Sequence, residues 1–184
     1  MHVLARTLAF AAMGAVAMAG VAIAQDDNQI SVDVTTKDGD DAGTVTFRQL
    51  EHGLLITADL SNLPEGPHGF HIHEKGVCEG DFQSAGGHYA PGGDEHGYDT
   101  DDGYHAGDLP NIYADGDGVA KADIFVTWLT LDPDADQDGD DDGPFTLERK
   151  EGTAIMVHEK ADDYVAMDSA GSRIACGVVV APSE

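Results

Sequence analysis

Basic residues are scarce: nine lysines and arginines stand against 35 aspartates and glutamates, a formal charge of −26 over 184 residues. A polyanion of that strength repels a phosphate backbone, which excludes nucleic acid as a partner. Cysteine is scarcer still, with two in the chain, Cys78 and Cys176. They lie too far apart for a CxxC redox pair and are too few for a thiolate zinc cluster. No helical periodicity of any length is present, which excludes a helix bundle.

One long apolar run exists, "LAFAAMGAVAMAGVAIA", behind Arg6 and ending in Ala22-Ile23-Ala24 before the polar "QDDNQ". That order of basic, apolar and small residues is the layout of a secretory signal peptide over residues 1–24, cleaved after Ala24. It predicts a single exported domain over residues 25–184, periplasmic or extracellular, with no membrane anchor once the leader is gone. Outside the cytosol Cys78 and Cys176 are expected to bond to each other, and in the chain-entropy model a loop of that size adds about 4.7 kcal/mol, less any strain. So much carboxylate keeps a protein soluble but strains it by self-repulsion unless salt screens it, to a Debye length of about 3 Å near 1 M. A salt-tolerant surface is the expectation. Disorder is not, because 41% of the residues are hydrophobic and fall in alternating runs.

Those runs have period two and β-branched residues: "ISVDVTT", "GTVTFRQL", "LLITADL", "GFHIH", then "NIYA", "VAKADIF", "TAIMVHE" and "RIACGVVV". Turn residues such as "KDGDD", "EHG" and "ADGDG" separate them, so the pattern predicts an antiparallel sandwich or barrel. Two interruptions are too long for hairpins. Residues 74–108 are rich in glycine and histidine, and an irregular stretch of that length inside a compact domain is usually functional. Residues 132–143, "DPDADQDGDDDG", hold seven aspartates. Asp134, Asp136 and Asp138 open like a calcium loop, but Phe145 stands where a bidentate glutamate belongs, so a solvated acidic loop is expected and calcium is not.

Eight histidines follow the leader. His71 and His73 share one face of their strand, because side chains alternate. His88, His96 and His105 lie in the glycine-rich stretch, with Asp108 three residues after the last, and His158 ends a late apolar strand. Imidazoles with one carboxylate suit zinc and copper. Six histidines and one aspartate fill either one four-coordinate site or two sites that share a ligand.

At these residues the chain resembles the copper/zinc superoxide dismutase family, through "GFHIHEKG", "SAGGHYAP", "HAGDLPN", "VHEKADDY" and "GSRIACGVV". The resemblance implies an all-β fold, an antiparallel Greek-key β-sandwich or flattened barrel of about eight strands with long functional loops. It implies an antioxidant oxidoreductase that disproportionates superoxide to oxygen and hydrogen peroxide. Copper would be held by His71, His73, His88 and His158, and zinc by His88, His96, His105 and Asp108, with His88 bridging the two as an imidazolate. Asp162 matches a carboxylate that links a copper histidine to a zinc histidine. His68 matches a histidine packed beside copper and is not a ligand; His52 reads as a surface residue. Arg173 matches the anchor of the substrate anion, a role that chemistry alone weighs evenly against a surface salt bridge.

Two departures from the family pattern stand out. Between His158 and Arg173 the segment "EKADDYVAMDSAGS" is short and has no lysine after Lys160, so steering by basic residues on this loop is not expected. The aspartate-rich stretch reads as an insertion. A homodimer is left open, and the rival to the enzyme is an exported copper and zinc store that keeps the ligands without turnover.

Overall fold

A computed structural model describes residues 28–101, 103–135 and 143–183. The leader, and Asp136 and Asp138 of the weighed calcium loop, lie outside the described residues. Eight of the strands form one antiparallel sheet: β1 (Gln29–Thr36), β2 (Asp41–Leu50), β3 (Gly53–Leu60), β4 (Gly66–His73), β5 (Asp108–Ala114), β6 (Ala120–Val126), β9 (Thr153–His158) and β10 (Arg173–Val180). Their spatial order is β5-β4-β9-β10-β1-β2-β3-β6. The crossovers β3 to β6, β4 to β9 and β10 to β1 give the Greek-key path, and the edge strands β5 and β6 approach each other to make a flattened, nearly closed barrel. These eight strands coincide with the eight alternating runs of the sequence.

The two remaining strands were not foreseen. β7 (Leu129–Thr130) and β8 (Phe145–Thr146) pair in parallel over two residues each, flanking the acidic stretch. A two-residue strand has no periodicity to read. One short 3-10 turn, Gln83–Ala85, is the only helical element among the described residues. None of their helices is long and apolar enough to cross a membrane.

Alternation decides what each strand gives to which side. Phe70 and Ile72 of β4 and Ile155 and Val157 of β9 point into the barrel, beside Phe47, Leu54, Ile56 and Leu109. His71, His73 and His158 therefore point outward from the same strands. That outer face is covered rather than solvated. Met156 and Ala154 of β9 join Phe82, Ala85 and Cys176 in a second, smaller apolar cluster beneath residues 74–107, with Cys78 packed at its margin. Every residue of β9 is buried, as a strand sealed on both faces must be.

Candidate metal centre

The long stretch between β4 and β5 is pinned back onto β4 by backbone bonds. Ile72 N–H donates to Gly107, Tyr89 N–H to Ile72 and Gly107 N–H to Tyr89, each at 2.8 Å, and His73 bridges to His88. The path brings His88, His96 and His105 over His71. All six imidazoles and Asp108 are buried, none more than 9% exposed.

Two groups result. His88, His96, His105 and Asp108 bring four ligand atoms within 4.8 Å of one another, and so do the ligand atoms of His71, His88 and His158. His88 belongs to both. In the first group His88 Nδ1 lies 2.8 Å, His96 Nδ1 3.0 Å and His105 Nδ1 3.5 Å from the Asp108 carboxylate oxygens. Ligands about 2.0–2.1 Å from a tetrahedral zinc stand about 3.3 Å apart, so these separations suit that ion. With His88 Nδ1 committed to this side, Nε2 is left for the other group. His73 stands just outside that second group of three, its ring centroid 5.0 Å from His88 and 5.7 Å from His158.

Among the described residues, His71 Nδ1, His73 Nε2 and His158 Nε2 on one side are buried without a hydrogen-bond partner, and on the other His96 Nδ1 and His105 Nδ1 meet the Asp108 carboxylate only outside hydrogen-bond geometry. An orphaned buried polar atom is costly. Five such nitrogens clustered on two foci are a donor set that two cations could complete. The opposite nitrogens are fixed: His73 Nδ1 by the Gly86 carbonyl, His158 Nδ1 by the Gly171 carbonyl, and His71 Nε2 by Asp162 Oδ2 at 2.9 Å. Asp162 Oδ1 takes His96 Nε2 at 3.1 Å, so one carboxylate orients a ring of each group.

Electrostatics divides the two groups as well. Burial, with His71 adding to it, holds His158 down to about 3. Burial, opposed by the hydrogen bond to Asp108, holds His88 down to about 4. His73 is lowered by burial and then by His88 and Arg173. His96 is lowered by burial too, but Asp108 and Asp162 on either side overcome it and raise it to about 10. The two carboxylates, raised by burial, are pulled further the other way by the imidazoles and lie far below the usual range.

Arg173 opens β10 and pairs in register with His158 at the end of β9. Its Nη1 donates to the Phe82 carbonyl and its Nη2 to the Gly86 carbonyl. It holds no carboxylate partner at ion-pair distance among the described residues, so the surface salt bridge weighed for it is absent. Arg173 lines a cavity of about 290 Å³ together with His88, His158, Gln83, Met167 and Asp168. Cys78 and Cys176 are bonded, with Cα atoms 5.9 Å apart. The bond ties the loop carrying Phe82 and Gly86 to the strand carrying Arg173.

Several residues that position the site gave no signal in the sequence. The Gly86 carbonyl accepts from both His73 and Arg173, and its residue has φ of 73° with a Cβ position that would collide with Glu74, so only glycine serves there. Asn111 clamps Asp162: its Nδ2 donates to the Asp162 carbonyl and its Oδ1 accepts the Asp162 N–H. Asn111 lies within the quoted "HAGDLPN", but an amide side chain alone does not announce such a clamp. His68 is buried with its ring nitrogens on the carbonyls of His158 and Pro64, both at 2.7 Å, beside the site and outside both groups. His52 is exposed.

A Greek-key barrel that carries two histidine-rich foci on its outer wall, joined through one imidazole, defines the class of two-metal β-barrel proteins. The chain belongs to the copper/zinc superoxide dismutase family, whose description, "Copper/zinc superoxide dismutase (SODC)", matches residues 41–179. It is 39% identical over 150 residues to a Cu-Zn superoxide dismutase of Caulobacter vibrioides, covering 79% of this chain and 82% of that one. One from Aquifex aeolicus is 38% identical, covering 80% and 85%. Among solved structures, a SOD-like protein from Bacillus subtilis superposes with a TM-score of 0.73 at 32% identity, covering 81% of this chain and 97% of that one. The family makes this an oxidoreductase with copper and zinc as its metals.

Proposed function

We propose that the protein disproportionates superoxide at a copper ion held by His71, His73, His88 and His158, beside a zinc ion held by His88, His96, His105 and Asp108. The single observation that carries this reading is that His88 belongs to both ligand groups. Copper supplies one-electron redox cycling and zinc a fixed positive charge without redox chemistry.

The residues of the chain do the rest. Arg173 offers guanidinium donors to the anion at the wall of the cavity, and its two carbonyl contacts hold the fork in place. His88 Nε2, the nitrogen not held by Asp108, can take up a proton and return it to the peroxide product, while Nδ1 stays beside Asp108. Asp162 keeps His71 and His96 oriented through that exchange. Export through the leader of residues 1–24 belongs to the same reading and is supported by the disulfide.

Superoxide decay measured on protein loaded with both metals tests it. Turnover is expected, with Arg173→Ala lowering the rate roughly ten-fold or more, the worth of charge-assisted hydrogen bonds to an anion. Tight binding of both metals without turnover would make the protein a metal store instead.

A further inference from the structure

Another cavity, of about 230 Å³, is lined by Asp94, Gly103, Tyr104, Ala106, Trp128 and Phe145. Three aromatic rings and one carboxylate line it, and none of them has a part in the metal centre. Tyr104 and Trp128 meet at 75° with centroids 5.4 Å apart, forming a corner. The indole is fixed by its Nε1–H, which donates to the Ala106 carbonyl at 3.0 Å. Phe145 is carried to the same place by β8, its N–H donating to the Trp128 carbonyl at 2.9 Å.

The carboxylate is near at hand. A Cβ placed on Gly92 would lie 3.0 Å from Asp94 Oδ2 and 3.5 Å from Phe145 Cζ, so the carboxylate and that ring converge on one point. A Cβ on Gly103 would lie 3.3 Å from Asp94 Oδ1, and the glycine there keeps the space beside the carboxylate open. Asp94 makes no hydrogen bond or ion pair among the described residues. Aromatic faces attract cations, and cages of two or three rings with an acid recognise alkylated ammonium groups, which shed their water more readily than metal ions do. A chain with a net charge of −26 gathers cations at its surface.

We propose that this cavity is a binding site for a small quaternary ammonium cation, with Tyr104, Trp128 and Phe145 as its walls and Asp94 as its counter-ion. The site shares no residue with either ligand group.

Trp128 is the chain's one tryptophan, so fluorescence excited at the red edge, where the five tyrosines barely absorb, reports on the indole in this cavity. The holoprotein is titrated with tetramethylammonium chloride and with choline chloride at constant ionic strength held by sodium chloride. A saturable change with half-saturation in the millimolar range is expected. The neutral isostere 3,3-dimethylbutan-1-ol is expected to bind roughly ten-fold more weakly, because it lacks the cation–π attraction. Asp94→Asn, a change at an exposed side chain, should weaken choline about three-fold, the size of a partly screened ion pair. Tyr104→Ala should abolish saturation while both metals stay bound, with some loss of melting temperature because the ring also packs on Tyr98 and Trp128. A change that is linear in ligand, equal binding of the neutral isostere, or choline binding unaltered in both variants would overturn the proposal.

Discussion

His96 carries the proton that a zinc ion has to displace. Its Nε2 is committed to Asp162 and its Nδ1 lies 3.0 Å from Asp108, and with a pKa near 10 the ring is cationic at neutral pH. His88 and His158, at about 4 and about 3, are already neutral there. Zinc titrated into the metal-stripped protein near pH 7.5 should release about one proton, from His96, and copper added afterwards about one more, as His88 gives up its remaining N–H to the shared position. Calorimetry in buffers of different ionisation enthalpy reads both steps, and zinc binding without proton release would show that the carboxylates do not hold the His96 proton. The same depressed imidazoles set an acid limit. Between pH 6.5 and about 4 the unfolded chain takes up protons on His88 and His158 that the folded chain refuses. Their contribution is complete above pH 6.5 and is lost as the pH falls toward their folded values, on the order of 3 kcal/mol per ring before coupling between them. Asp108 and Asp162 do not offset this, since their contribution fades only below the unfolded carboxylate value. Denaturant midpoints of the metal-stripped protein should fall from pH 7 to pH 5; equal midpoints would contradict the assigned shifts. These imidazoles and carboxylates were legible in the sequence because their side chains carry the chemistry. The Phe82 and Gly86 carbonyls that aim Arg173 were not, because a backbone oxygen has no letter of its own.

β10 joins the two halves of the site. Its first residue is Arg173, its fourth is Cys176, and its neighbour β9 ends in His158. The bond from Cys176 to Cys78 closes a span of 98 residues and also fixes the loop whose carbonyls hold the guanidinium. Replacing both cysteines by serine should cost about 2–5 kcal/mol of stability. It should also lower superoxide turnover while both metals stay bound, since no ligand lies between Cys78 and Gly86, the part of the stretch that the bond holds. Parallel measurement of metal content, melting and rate separates the two effects; a full rate in the cysteine-free protein would show that the carbonyl contacts alone hold Arg173. The strands themselves were legible wherever one face meets the barrel interior, as in "LLITADL" with Leu54, Ile56, Ala58 and Leu60 turned inward. Strands sealed on both faces, like β9, were recognised through β-branched content instead. β7 and β8 escaped, because their pairing is made by Trp128 and Phe145 backbone groups from either end of the acidic stretch and not by any local pattern.

At the scale of the whole molecule, charge opposes substrate. Superoxide is an anion, the chain carries −26, and the loop from β9 to β10 brings no lysine between Lys160 and Arg173. Asp168 lines the cavity together with Arg173, and Asp81 is close enough to act on the guanidinium electrostatically. A local positive field thus rests on one partly buried arginine and the metals, against a surface that repels over the Debye length, about 10 Å at 0.1 M salt and about 3 Å at 1 M. Added salt shrinks the reach of the distant carboxylates first and leaves the short contact between Arg173 and the anion nearly intact. The second-order rate should therefore stay flat or rise between 0.05 M and 1 M sodium chloride, where a steered enzyme would slow. Arg173→Ala should keep the upward slope while lowering every point, because the repulsion belongs to the body and the anchor to the cavity. A steep fall with salt in the unmodified protein would mean that the field at the cavity mouth outweighs the charge of the whole, and that the steering comes from groups other than the short loop.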